Sequence, residues 1–218
     1  DPLYLAAYLN SLKIAAVSFG LLLLMAVVFH LVASNRFRAM ADDLAARVRG
    51  GAPMQESDLP GAIRARALFN GAGRDGTLRA VRLTQEAEFR RAADAQWGPM
   101  PAVQHMGLGA ADFVWDARAP GPLVPAFTVI DAYVDGEGLL RANLFGAIRV
   151  ANAQGPVYDR SEAMRYLAEM PWAPDAVLGN PDVTWRALAD GRVEAALETP
   201  SGRVAVTFTL DAAGDIVG

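Results

Sequence analysis

Between Ile14 and Val32 the chain runs nineteen residues, IAAVSFGLLLLMAVVFHLV, without one charged side chain. At about 1.5 Å of rise per residue a helix of that length reaches roughly 28 Å, the thickness of a bilayer's hydrocarbon core. A core helix this apolar must be enclosed on every side, and no other segment is long enough to enclose it. The run also exceeds the usual core of a signal peptide, although Leu31-Val32-Ala33 has the small-residue pattern of a cleavage site. The sequence therefore predicts a retained transmembrane helix over residues 14–34. An amphipathic lead-in (1–13) precedes it, suited to lie along the membrane or on a neighbour. A stalk with short helices (35–76) follows.

Ser18, Gly20 and Ala26 offer small surfaces for close packing, and with His30 they form a candidate face for a partner helix. His30 alternatively sits at the headgroup level. Near the run, Lys13 stands on one side against Arg36, Arg38, Arg47 and Arg49 on the other, a count that puts the following domain in the cytoplasm.

About 180 residues remain behind the anchor, enough for one well-filled core. The net charge of −4 argues against a broad nucleic-acid surface. With no cysteine there are no disulfides, thiolate metal sites or cysteine nucleophile. Lys13 is the only lysine among the twenty basic residues, which fits a base-composition bias rather than a binding signature.

Phe37, Met40, Ala41, Leu44 and Val48 recur at helical spacing, with a stop at Gly50-Gly51-Ala52-Pro53. Ser57-Asp58 and Pro60 predict the start of a short helix that ends at Gly71. From Thr77 the pattern alternates, predicting strands. Extended stretches run through 86–92, 102–108 and 113–118, then 126–134 and 139–150 around an Asp135-Gly136 hairpin signal. Residues 154–158 read as extended, 161–169 as one helix, and 183–189, 193–198 and 204–210 as three last strands. The expected fold is α+β: the transmembrane helix, then an antiparallel half-barrel over 77–218 with helices packed on it and one inserted near 161–169.

Gly71-x-Gly73-x-x-Gly76 matches the glycines of a dinucleotide loop, but a helix precedes it and a strand follows, the reverse of what a pyrophosphate needs. Asp131, Asp135 and Glu137 lack calcium-loop spacing and read as acids of a strand and its turn. His105 has neither a second histidine nor a serine–acid pair beside it. No nucleophile–base pair or phosphate loop is visible, so the domain is expected to be non-enzymatic and without cofactor. Asp131, Arg165 and Glu169 are the nearest to acid–base candidates. Arg165 and Glu169 share a helix face, where burial would force them to pair with each other or with a ligand.

The stretch Arg165-Tyr166-Leu167-Ala168-Glu169-Met170-Pro171-Trp172, with Pro174 beyond it, resembles the signature of a bacterial family of membrane-anchored proteins known as a domain of unknown function. Leu59 to Arg64, Gln85, Trp97 to Gln104, Phe113 to Arg118, Asp131-Ala132-Tyr133, the Gly136/Gly138 hairpin and Trp185 agree in order. Ala87 departs from the pattern, standing where a glycine is expected. The resemblance implies a fold similar to the open half-barrel of periplasmic lipoprotein carriers, which hold acyl chains between a curved sheet and inner helices. It also favours a periplasmic domain, against the charge count.

On this reading Trp97, Trp115, Asp131, Tyr133, Arg165, Tyr166, Glu169 and Trp172 are the candidate cavity or ligand residues. The expected partners are the bilayer, an apolar ligand such as a lipid, and other membrane subunits met through the helix. The function expected is an anchored binding domain, with an accessory subunit of a larger membrane complex as the alternative.

Overall fold

The computed structural model describes residues 2–49, 59–73, 78–90 and 92–218, with side chains of the first helix from Tyr8 onward. The lead-in, the apolar run and the stalk stripe are one unbroken helix, α1 (Pro2–Arg47). It is long and apolar enough to cross a membrane, and none of its most apolar stretch is buried within the chain. Its last turns change role. Phe37 and Ala41 are buried, with Met40, Leu44 and Val48 packed beside them, against a β-sheet.

A short helix α2 (Gly61–Phe69) buries Ile63 and Ala67, with Pro60 at its N-cap. The stop signal at Gly50 to Pro53, the cap candidates Ser57 and Asp58, and Thr77 lie outside the described residues. Eight strands follow: β1 (Ala80–Gln85), β2 (Glu88–Phe89), β3 (Gly98–Pro99), β4 (Ala102–Gly107), β5 (Phe113–Ala119), β6 (Phe127–Val134), β7 (Glu137–Leu144) and β8 (Ile148–Gln154). After them come α3 (Pro156–Glu169), a 3-10 turn (Met170–Trp172) and α4 (Pro174–Gly179). The strands β9 (Val183–Ala187), β10 (Val193–Thr199) and β11 (Gly202–Phe208) close the domain.

The fold is α+β and antiparallel, as the alternation implies. The strands do not form one meander, however. β1-β4-β5-β6-β7-β8 make a six-stranded open sheet, β11-β10-β9 a second sheet, and β2-β3 a separate small hairpin. The division follows from α3, which lies between the two sheets and packs on β6, β7 and β8 with one side and on β10 and β11 with the other. That helix begins at Pro156, five residues before the sequence-based start. Gly155 adopts φ 99°, and the proline that follows has the fixed φ suited to a first helical position.

The two sides of the six-stranded sheet are distinct because side chains alternate along each strand. Val114, Ile130, Ala132 and Leu139 form an outer face covered by α1. Met106, Phe113 and Tyr133 point to an inner face covered by α3. The same inner face continues along the strands as Ala102, Ala117, Val129 and Ala142 under Met100. α1 traverses the outer face from end to end. At the turn after β7 the Ser34 hydroxyl donates to the Gly146 carbonyl (3.3 Å). At the opposite end Arg47 pairs with Asp135 (2.8 Å), in the β6–β7 turn. Asp135 (φ 54°) and Gly136 (φ 84°) both take positive φ there, as a tight two-residue hairpin requires.

Candidate functional site

Half of the inner face is charged. Arg165, on α3, donates from Nε to Glu169 Oε1 (2.8 Å) and from a terminal nitrogen to Asp131 Oδ2 on β6 (2.6 Å). Its guanidinium also lies 5.1 Å from the ring centres of Phe113 and Trp115, a cation–π arrangement on two faces. From Glu169 the chain of hydrogen bonds continues into the sheet. Gln104 Nε2 donates to Glu169 Oε2 (2.6 Å), Gln85 Nε2 to Gln104 Oε1 (2.9 Å), and Trp115 Nε1 to Gln85 Oε1 (2.7 Å). Strands β1, β4, β5 and β6 are thereby tied to one helix face by five side chains gathered around Arg165.

The charge does not balance. Among the described residues, Asp131, Glu169 and the buried Glu162 set three carboxylates against one guanidinium. One oxygen each of Asp131 and Glu162 is buried without a hydrogen-bond partner among the described residues. Burial pushes the Glu162 carboxyl up to about 7, with Asp131 adding to the rise. Burial likewise raises Asp131, against the lowering pull of Arg165. Glu162 therefore sits close to half-protonated near neutral pH, which relieves part of the excess charge.

The other half of the inner face is apolar and incompletely filled. A cavity of about 480 Å³ lies between the β2–β3 hairpin and the sheet, lined by Phe89, Met100, Ala119, Phe127, Leu144 and Phe145 among others. Among the described residues the hairpin strands pair at Glu88–Pro99 and Phe89–Gly98. Phe89 stacks on Phe127 with centroids 6.4 Å apart, and the Met100 amide donates to the Ala87 carbonyl (2.7 Å). Ala87, where the family pattern leads one to expect glycine, is thus ordinary backbone at the root of the hairpin.

The eight sequence-derived candidates do not converge on one place. Trp115, Asp131, Arg165 and Glu169 meet in the charged network. Tyr133 is buried beside it, its hydroxyl raised to about 12 by burial. Tyr166 is wholly buried, donating to the Gly107 carbonyl (2.9 Å) and accepting from Asn180 Nδ2 (2.7 Å). Trp172 is exposed, over a shallow depression it shares with Leu83 to Ala87, and Trp97 is exposed on the hairpin loop under the Arg90 guanidinium. Of the membrane-face residues, Ala26 and His30 line a cleft against the domain, and among the described residues nothing lies within 4 Å of where a Cβ on Gly20 would stand.

Four polar residues were not among those candidates: Gln85, Gln104, Glu162 and Asp112. Gln104 stands at an inward position of an alternating strand, between Ala102 and Met106. Glu162 precedes Tyr166 by four on the same helix face. In each case a polar residue on an otherwise apolar stripe was the available signal. Asp112 accepts from Arg49 Nε (2.7 Å), from a terminal nitrogen of Arg49 (2.9 Å) and from the Asp135 amide (3.2 Å), joining the end of α1 to the sheet.

The model of a family of unknown function, DUF6544, matches residues 53–218, well over half of the chain, and the chain belongs to that family. No curated protein and no solved structure matches it.

Proposed function

We propose that this member of a family of unknown function is a single-pass, membrane-anchored binding domain without catalytic activity, which holds an apolar ligand under its β2–β3 hairpin. The observation that carries this reading is the apolar cavity of about 480 Å³ at the end of the sheet nearest the apolar run of α1. Ligand cavities commonly measure about 300–1,000 Å³ and are lined mainly by apolar and aromatic groups. An acyl chain fits that lining, and the small hairpin can lift without disturbing the six-stranded sheet. The charged network then serves as the rigid wall: it locks α3 to four strands and keeps the other half of the face shut. The similarity to lipoprotein carriers inferred from the sequence supports an apolar ligand and a periplasmic domain, although the space here lies under the hairpin rather than between sheet and helix.

A second reading, an accessory subunit of a membrane complex, draws on the small residues Ser18 and Gly20, exposed on α1. Photo-crosslinking separates ligand from surface contact. Full-length protein in vesicles containing a diazirine-bearing phospholipid is irradiated and digested. Labelling at Met100, which is buried on the cavity floor, is expected, and it is lost in Ala119→Trp, which fills the space. Labelling of exposed positions alone would exclude a ligand inside the domain.

A further inference from the structure

The domain end that carries the cavity also meets α1 inside its apolar run. A cleft of about 640 Å³ separates the helix at Ala26, Val27 and Leu31 from the β5–β6 loop at Leu123 and Val124. Ala26 lies six residues before Val32, so the loop reaches back about 9 Å along the helix from the end of the uncharged run. That loop belongs to a twelve-residue uncharged stretch, Ala119 to Ile130. Leu123 is 95% exposed at its tip, and Phe145 in the neighbouring turn and Ile148 at the start of β8 are each 54% exposed. In water this would be a costly arrangement, because Leu123 and Val124 face Val27 and Leu31 across open space while Phe145 and Ile148 stand exposed near the same end, where Gly146 borders the cleft.

We propose that these two loops, residues 120–126 and 145–147, are immersed in the bilayer that α1 crosses, with phospholipid chains filling the cleft. The charge distribution fits a headgroup layer just above it. Arg38 borders the same cleft and has no ion-pair partner among the described residues, while Arg118 beside it is already paired with Asp116. Arg38 lies beyond the uncharged run, where a long cationic side chain meets lipid phosphate. Docking of α1 along the whole outer face, from Ser34 to Arg47, prevents the domain from swinging away from the surface. The domain is thus seated in the membrane rather than held above it on a stalk, and its hairpin cavity adjoins the lipid.

This inference rests on the membrane-spanning reading of α1, and one experiment separates the two. Because the chain contains no cysteine, single-cysteine variants can be labelled cleanly with a fluorophore. Leu23→Cys reports the anchor, Leu123→Cys and Phe145→Cys report the loops, and Val157→Cys reports the far end of the domain, where it is exposed. Each is placed in vesicles of phosphatidylethanolamine and phosphatidylglycerol bearing acyl-chain nitroxides. The expected result is loss of most fluorescence at Leu23, Leu123 and Phe145, with Val157 unchanged. Quenching at Leu23 while both loop positions behave like Val157 overturns the immersion but leaves the anchor standing. No quenching at Leu23 removes the anchor, and the immersion with it.

Discussion

The two halves of the inner sheet face are built from the same strands and covered differently. Along β5, Phe113 and Trp115 lie under α3 whereas Ala117 and Ala119 lie under the hairpin. Along β6 the same step runs from Tyr133 and Asp131 to Val129 and Phe127. Where the strands carry large and polar side chains, a fourteen-residue helix closes over them with charge-assisted hydrogen bonds. Where they carry small apolar ones, a hairpin of two-residue strands closes over them and leaves space. Directional bonds make one half rigid, and sparse apolar contact lets the other yield.

The largest break in this contrast is expected from Arg165→Ala. It strands Asp131 and Glu169 beside Glu162 and should cost about 2–4 kcal/mol, toward the low side of a buried-pair loss because the guanidinium keeps some solvent. Chemical denaturation of the full chain in detergent measures it. Glu162→Gln acts in the opposite direction. A carboxyl raised from 4.5 to about 7 binds its proton more tightly folded than unfolded, so stability is highest below pH 4.5 and is lost as pH rises to about 7. The amide removes that loss, and the variant should gain up to about 3 kcal/mol above pH 7 while matching the parent in acid. A wild-type stability that stays flat across this window would contradict the assignment.

Tyr166→Phe leaves the Gly107 carbonyl and the Asn180 amide without their shared partner, an expected loss of about 1–2 kcal/mol by the same denaturation. The smallest change belongs to the hairpin half. Phe89→Ala removes a half-exposed ring from the Phe127 stack and should cost under about 1 kcal/mol. Hydrogen exchange should nonetheless accelerate at the Met100 amide, which is bonded to Ala87, while amides of α3 keep their protection. Equal acceleration in both places would erase the distinction between the halves.

Much of the local structure was legible before the fold was known. The uncharged run, the stripe from Phe37 to Val48 and the Asp135-Gly136 turn each rest on a short-range rule, and each appears. The alternation finds the strands too, except that the stretch expected over 139–150 is split by a turn at 145–147 into β7 and β8. What stayed hidden was non-local. Periodicity shows that Phe37 and Ala41 share a face but not that Val114 and Ile130 receive it. Alternation finds β9 to β11 without saying that α3 separates them from the larger sheet. The start of α3 was missed because Gln154 to Tyr158 reads as extended, although Pro156 fits a first helical turn equally well. At the candidate site the pair Arg165–Glu169 was readable from its spacing. Its completion by Asp131 on β6 and by Gln85 and Gln104 on β1 and β4 depends on strand register.

The most direct test of the binding function is native mass spectrometry of the full-length protein, gently extracted from membranes, beside its Ala119→Trp variant. The expected result is stoichiometric lipid-sized mass on the wild type and none on the variant. A wild-type chain that emerges bare, or an adduct that persists when the cavity is filled, would contradict it.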